Sequence, residues 1–197
     1  MTEQWEANKT LLSLTLEEIT SHADATDRML NEIKDWPASS EGWLAYPELL
    51  EHMETLMYGL GTLFFLDKGL SWQYHDCLGP LADCTMRESI KSLEGVVEQL
   101  GNALKALESV SAPEDRAVLC EEIADLLALR DTVETILNGR IMGCLAPVED
   151  DVLRPLKEFD AELAALLGKH SVPEEVKQNG ALAWCSPRKR SIFWWYK

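Results

Sequence analysis

The chain has 197 residues, of which 34 are acidic and 18 basic, giving a formal net charge of −16, and 46% are hydrophobic. This apolar content is enough for one folded core, and the negative charge disfavours a nucleic-acid-binding body because phosphate would be repelled. The five cysteines are widely spaced and follow no secretory signal, so we expect reduced thiols in a soluble, cytoplasmic protein.

The first two predicted helices carry apolar stripes whose members lie alternately four and three residues apart. Trp36-Pro37 is predicted to end the first helix, since the residue before proline is driven out of the α region. The second stripe is broad, which indicates burial on more than one side. The first stripe comprises Leu12, Leu16, Ile19, Ala23, Thr26, Leu30 and Ile33, and the second comprises Leu49, Met53, Leu56, Leu60 and Leu63, widened by Leu50, Met57 and Phe64.

The next two stripes predict two further long helices. Pro113 marks the start of the later one, Arg130 is its single polar stripe position, and Asn138-Gly139 is its predicted end. The earlier stripe is Met86, Ile90, Leu93, Val97, Leu100, Leu104 and Leu107, and the later one is Leu119, Ile123, Leu126, Val133 and Leu137.

Pro147 and Pro155 punctuate the next segment, and a fifth stripe follows. One more short helix is predicted from Ser171 to Glu175 onward. No alternating strand pattern occurs, so we predict an all-α, up-and-down bundle of about five long helices with one or two short ones. The fifth stripe is Val152, Leu156, Phe159, Leu163 and Leu166.

Residues 181–197, which we call the terminal segment, hold three of the seven tryptophans and four basic residues without an acidic one. With residues 1–180 forming the bundle, this segment is predicted to be either its packed end or a contact segment. In the second case, exposed aromatic side chains bind a protein partner or a second copy, and the basic residues steer the encounter. The predicted contact residues are Trp184, Arg188, Lys189, Arg190, Ile192, Phe193, Trp194, Trp195 and Tyr196.

Particular groups of residues suggest two alternative functions. Tryptophan and tyrosine beside basic residues are typical of segments at an anionic membrane surface, so a membrane-surface-active effector is one alternative. An enzyme with a loop site around His75, Cys77 and Cys84 is the other. The spacing of these three residues offers no evident fourth zinc ligand. The acidic run 149–151 could suggest a magnesium site, but it is better explained as acidic residues that stabilise the start of a helix. Since no catalytic or phosphate-binding motif occurs, we predict a non-enzymatic protein without catalytic residues, metal or cofactor.

Several stretches resemble one known family. Leu153–Phe159, Leu163–Leu167 and Ala181–Trp184 with the basic aromatic run after it are similar to the N-terminal helical domain of fungal receptor-like proteins. Leu81–Leu107, with Cys84, is similar to another helix of that domain. The full proteins of that family carry nucleotide-switch or ankyrin-repeat regions. The resemblance implies a truncated or stand-alone helical interaction domain, and no functional residue of the family corresponds to a position here.

Overall fold

The computed structural model describes residues 47–67, 79–143, 145 and 147–196, together with 17, 19–21, 24–26, 28–29 and 31–32. Within those residues every regular element is helical, which confirms the predicted all-α fold class. The α-helices that follow residue 46 are α1 (Pro47–Phe65), α2 (Gly79–Lys91), α3 (Val96–Ser109), α4 (Pro113–Met142), α5 (Asp150–Leu167) and α6 (Glu174–Asn179). Three short 3₁₀ helices come next: Ala181–Ala183, Arg190–Ile192 and Trp194–Tyr196.

The described residues group into two compact units. The first unit contains those up to Glu88 together with Glu134–Glu149, and the second contains Ser89–Val133 together with the residues from Asp150 onward. Helix α4 therefore contributes its first part to the second unit and its last part to the first.

The core of the first unit contains the apolar stripe predicted for α1. All five stripe positions of α1, from Leu49 to Leu63, are buried, and Met57 beside them is also buried. Ile19 and Thr26, from the first predicted stripe, are both helical and buried. The other members of that stripe, and the predicted stop at Trp36-Pro37, lie outside the described residues.

Helix α4 does not end at Asn138-Gly139 as predicted, but continues to Met142. Gly139 lies against the backbone of Met57 in α1, where a Cβ would overlap the Met57 carbonyl. Gly61 lies in the same way against the backbone of Thr135. The two glycines thus let α1 and α4 approach at backbone distance, and this packing role explains a glycine that the sequence pattern assigned to a helix end.

The stripe from Met86 to Leu107, predicted as one helix, is divided between α2 and α3. A turn at residues 92–95 separates them, with Gly95 in the left-handed region at φ 76°. Leu93, inside that turn, is nevertheless buried, as are Ile90 before it and Leu100 after it. The apolar stripe is therefore kept through the break, which is why its spacing alone did not reveal the turn.

The second unit is built from α3, most of α4, α5 and α6, with α3 packed on α5. Helix α5 buries Val152, Leu156 and Leu163 of its predicted stripe. Pro155 lies inside α5 rather than at its boundary. Its side chain is exposed. It is the sixth residue of α5, beyond the four whose N–H groups have no intrahelical partner, so it costs the helix one backbone hydrogen bond.

The close approach of α1 and α4 generates a test. We expect Gly139→Ala to lower the free energy of unfolding by about 1–3 kcal/mol, because overpacking at a backbone contact forces the helices apart. Gly101→Ala in α3 is the matched control, since its new methyl group would meet only the flexible Leu166 side chain, 3.3 Å away. Urea denaturation of both variants measures the difference, and equal stabilities would contradict the assigned packing role.

Candidate functional site

A buried carboxylate in α4 is the centre of the polar cluster that holds the terminal segment. Asp131 is 8% exposed. One of its oxygens accepts a hydrogen bond from Trp195 Nε1 at 2.9 Å. The other accepts from Tyr196 Oη at 2.7 Å and from the backbone nitrogen of Ala181 at 3.1 Å. One carboxylate thus connects α4 to both the beginning and the end of the described terminal segment.

Arg130, the neighbour of Asp131, fixes the same segment by different contacts. Its Nε and Nη2 donate to the two carboxylate oxygens of Asp160 in α5, at 2.8 and 3.0 Å. Its guanidinium carbon lies 4.4 Å from the centroid of the Trp195 ring, a cation–π contact. The indole is therefore held at its edge by Asp131 and at its face by Arg130. This accounts for the one polar position in the predicted α4 stripe.

The aromatic side chains of the terminal segment form a continuous series of ring contacts. Trp184 meets Phe193 at 6.4 Å between centroids, and Phe193 meets Trp195 at 5.5 Å. Trp195 is also 5.7 Å from Trp194 and 6.4 Å from Tyr196. Most of these contacts are edge-to-face, the arrangement that the ring quadrupoles favour.

Burial perturbs both ionisable groups at the centre of the cluster. Desolvation raises the pKa of Asp131 above its ordinary value, although the hydrogen bonds from Tyr196, Trp195 and Ala181 and the charge of Arg130 oppose that shift. Burial also raises the pKa of Tyr196, and the negative charge of Asp131 adds to this effect. The Tyr196 hydroxyl is therefore a hydrogen-bond donor here and does not ionise near neutral pH.

The predicted contact residues fall into three classes of exposure. Phe193, Trp195 and Tyr196 are buried, at 1–2% exposure. Arg188 and Arg190 are exposed. The remaining four, which are half-buried, are Trp184, Lys189, Ile192 and Trp194. Three of the nine predicted contact residues are therefore buried inside the second unit, and the other six have solvent-exposed surface.

The other candidate sites are less developed. His75 and Cys77 lie outside the described residues, and Cys84 is buried in α2. Among the described residues, no group of three or more histidine, cysteine or acidic side chains is arranged to hold a metal ion. Asp150, in the first turn of α5, accepts a hydrogen bond from Lys157 at 2.9 Å, and this bond lowers its pKa.

Two buried polar groups of α4 are not predicted from its apolar stripe. Asp131 directly follows the one polar stripe position, but it lies off the stripe itself. Arg140 is 2% exposed and lies 2.9 Å from Asp83 in the first unit. Burial lowers its pKa, while Asp83 counteracts the shift. Extending the α4 stripe three residues beyond Leu137 would have identified Arg140 as a second polar stripe position.

Comparison of the chain with protein-family models, curated proteins and solved structures finds no significant match. The resemblance to the fungal receptor-like domain stays a prediction. Within the described ranges, no helix has the length and apolar character needed to cross a bilayer.

The Tyr196–Asp131 hydrogen bond can be tested by removing one hydroxyl. We expect Tyr196→Phe to lower the free energy of unfolding by about 1–3 kcal/mol, because the bond is buried and its acceptor is a carboxylate. Tyr58→Phe is the control, since the Tyr58 side chain is 40% exposed and should lose much less. Thermal and urea unfolding report the difference, and equal losses would contradict a larger contribution from the buried Tyr196–Asp131 bond.

Asp131 also gives a prediction about pH. Since its folded-state pKa is raised above the ordinary value of 3.8, the stability it contributes is greatest below that value and decreases as pH rises through the folded-state pKa. Asp131→Asn removes this dependence on pH. It also places an amide NH₂ group, which can only donate, where a carboxylate oxygen accepts hydrogen bonds from the terminal segment. We therefore expect the variant to be less stable than the parent protein by a margin that increases from about pH 7 to about pH 4. A margin that shrinks on acidification, measured by urea denaturation, would contradict the assigned shift.

Proposed function

We propose that this protein is a non-enzymatic helical interaction module that binds a protein partner through the exposed side of its terminal segment. The observation that supports this is a difference in exposure among the aromatic side chains of the segment. Phe193, Trp195 and Tyr196 are buried, while Trp184 and Trp194 at the two ends of the ring series are only half-buried. Half-exposed tryptophans on a fixed base are typical of the residues that contribute most to binding at interfaces.

Charge defines the kind of partner. The chain carries a formal net charge of −16, yet Arg188 and Arg190 are exposed in the segment between the two half-buried tryptophans. Arginine beside tryptophan suits a partner segment that presents acidic side chains around an apolar centre, because the guanidinium groups pair with carboxylates while the indoles cover the apolar residues. A second copy of the chain or another acidic protein has this chemistry.

The other expectations about this protein belong to the same proposal. A cytoplasmic interaction domain, similar in kind to the fungal receptor-like N-terminal domains, agrees with a protein-binding terminal segment. No described feature favours the catalytic alternative, because His75 and Cys77 lie outside the described residues. The membrane alternative is not favoured over a protein partner either, since half-buried tryptophan and exposed arginine suit a protein interface equally well.

A displayed peptide library tests the partner chemistry directly. We expect selection on the whole protein to enrich peptides that combine acidic and apolar residues. We expect Arg188→Glu/Arg190→Glu to weaken a selected peptide by about tenfold or more, because attraction becomes repulsion at two positions. Lys105→Glu/Arg154→Glu, which changes two exposed basic residues elsewhere in the second unit, gives the same change in net charge and should leave binding nearly unchanged.

Trp194→Ala separates the aromatic contribution from the charge. Its half-buried side chain can be removed while thermal unfolding checks that the second unit stays folded, and peptide affinity should decrease with the fold retained. Peptides that bind the charge-reversed and control variants equally would contradict the proposal. Flotation with anionic vesicles is the parallel measurement, and vesicle binding without any selected peptide would favour the membrane function instead.

A further inference from the structure

A shallow groove in the second unit is lined by residues outside the terminal segment. Its volume is about 220 Å³, and Leu104 and Leu107 from α3 line it together with Pro173. Arg116 from the first turns of α4 and His170 from the stretch before α6 also line it, and Ser171 lies beside His170. Glu108 of α3 lines it as well, so the groove combines apolar side chains, hydrogen-bond donors and one carboxylate.

Each of the two basic side chains is paired with a carboxylate that is itself well exposed. His170 Nδ1 lies 2.7 Å from Glu108 Oε1, and their side chains are 15% and 65% exposed. Arg116 Nη2 lies 3.3 Å from Glu175 Oε1, with side-chain exposures of 44% and 59%. The Arg116–Glu175 pair is exposed on both sides and adds little stability, so water can replace Glu175 at small cost. Glu108 is also well exposed and can turn to solvent, while the largely buried His170 ring stays in place.

We propose that this groove binds a small ligand with an apolar body and one carboxylate. The ligand carboxylate takes the place of Glu108 and Glu175 and accepts hydrogen bonds from the Arg116 guanidinium and the His170 ring. An imidazole with hydrogen on Nδ1 donates it whether or not the ring is charged, and the Ser171 hydroxyl is a further donor beside it. The apolar body lies against Pro173 and the edges of Leu104 and Leu107, which are 2% and 9% exposed, so it buries a small area and the expected affinity is weak. The displaced glutamates recover their hydration.

The size and the position of the groove agree with this ligand class. A volume of about 220 Å³ holds a few carbon atoms and a carboxylate, and it is smaller than the roughly 300–1,000 Å³ of sites for drug-sized molecules. Arg116 is four residues into α4, so the positive end of that helix favours the same charge on the ligand. The site uses none of the residues of the proposed protein interface and does not depend on that proposal.

The proposal makes an unusual prediction about the two glutamates, because they compete with the ligand. We expect hexanoate to shift the NMR signals of the His170 ring, identified from their loss in His170→Asn, and hexan-1-ol at the same concentration to shift them much less. Glu108→Gln/Glu175→Gln should bind hexanoate more tightly by about threefold to tenfold, and Arg116→Gln should bind it more weakly. Glu121→Gln/Glu122→Gln on exposed positions of α4 gives the same change in net charge as the first pair and should leave the affinity nearly unchanged.

Two results would overturn the proposal. One is the absence of any hexanoate-dependent shift in the Glu108→Gln/Glu175→Gln variant, and the other is an equal gain from the α4 control pair, which would reflect net charge alone. All the substituted side chains except His170 are exposed, so circular dichroism should confirm folded variants. A peptide ending in leucine, compared with its amidated form, shows whether the carboxylate of a protein C-terminus is accepted as well as that of a free small molecule.

Discussion

The position of the terminal segment depends on a carboxylate that is buried in the second unit. Asp131 is 8% exposed, and a charge at that depth is tolerated only where hydrogen-bond donors replace water. Its donors come from Ala181, Trp195 and Tyr196, so they converge only when the beginning and the end of the segment are both in place. The segment contains short 3₁₀ turns instead of a long helix, and side-chain anchors therefore decide where it lies.

Consecutive polar residues of one helix act on the segment from different directions. Side chains at adjacent helix positions point about 100° apart, so Arg130 reaches Asp160 of α5 while Asp131 faces the segment. Trp195 lies against both, since its ring faces the Arg130 guanidinium and its nitrogen donates to Asp131. A fixed Trp195 supports the half-buried Trp194 beside it. An aromatic side chain held by such contacts loses less conformational freedom on binding, and this is the physical basis for the protein interface that we propose for the segment.

The first unit is held together by other means. Gly61 and Gly139 bring α1 and α4 to backbone distance, and nearby the Arg140 guanidinium meets the Asp83 carboxylate at 2.9 Å. Replacing either glycine adds volume where none is free, and removing Asp83 would leave a buried positive charge poorly compensated. The buried charged groups of α4 therefore have different roles in the two units: Arg140 pairs with Asp83 in the first, whereas Arg130 and Asp131 position the terminal segment in the second.

The sequence by itself determined the all-α class, the stripes that form the helical cores and the unusual composition of the terminal segment, because apolar spacing records which face of a helix is buried. It also marked Arg130 as the polar position in an apolar stripe, but not the partner that makes this position stable. Tertiary structure alone decided that Asp131 receives three donors, that Gly139 lies at a helix contact, and that Glu108 and His170 meet at a groove. Each of these depends on residues distant in sequence that come together only on folding, and local spacing contains no information about such pairs.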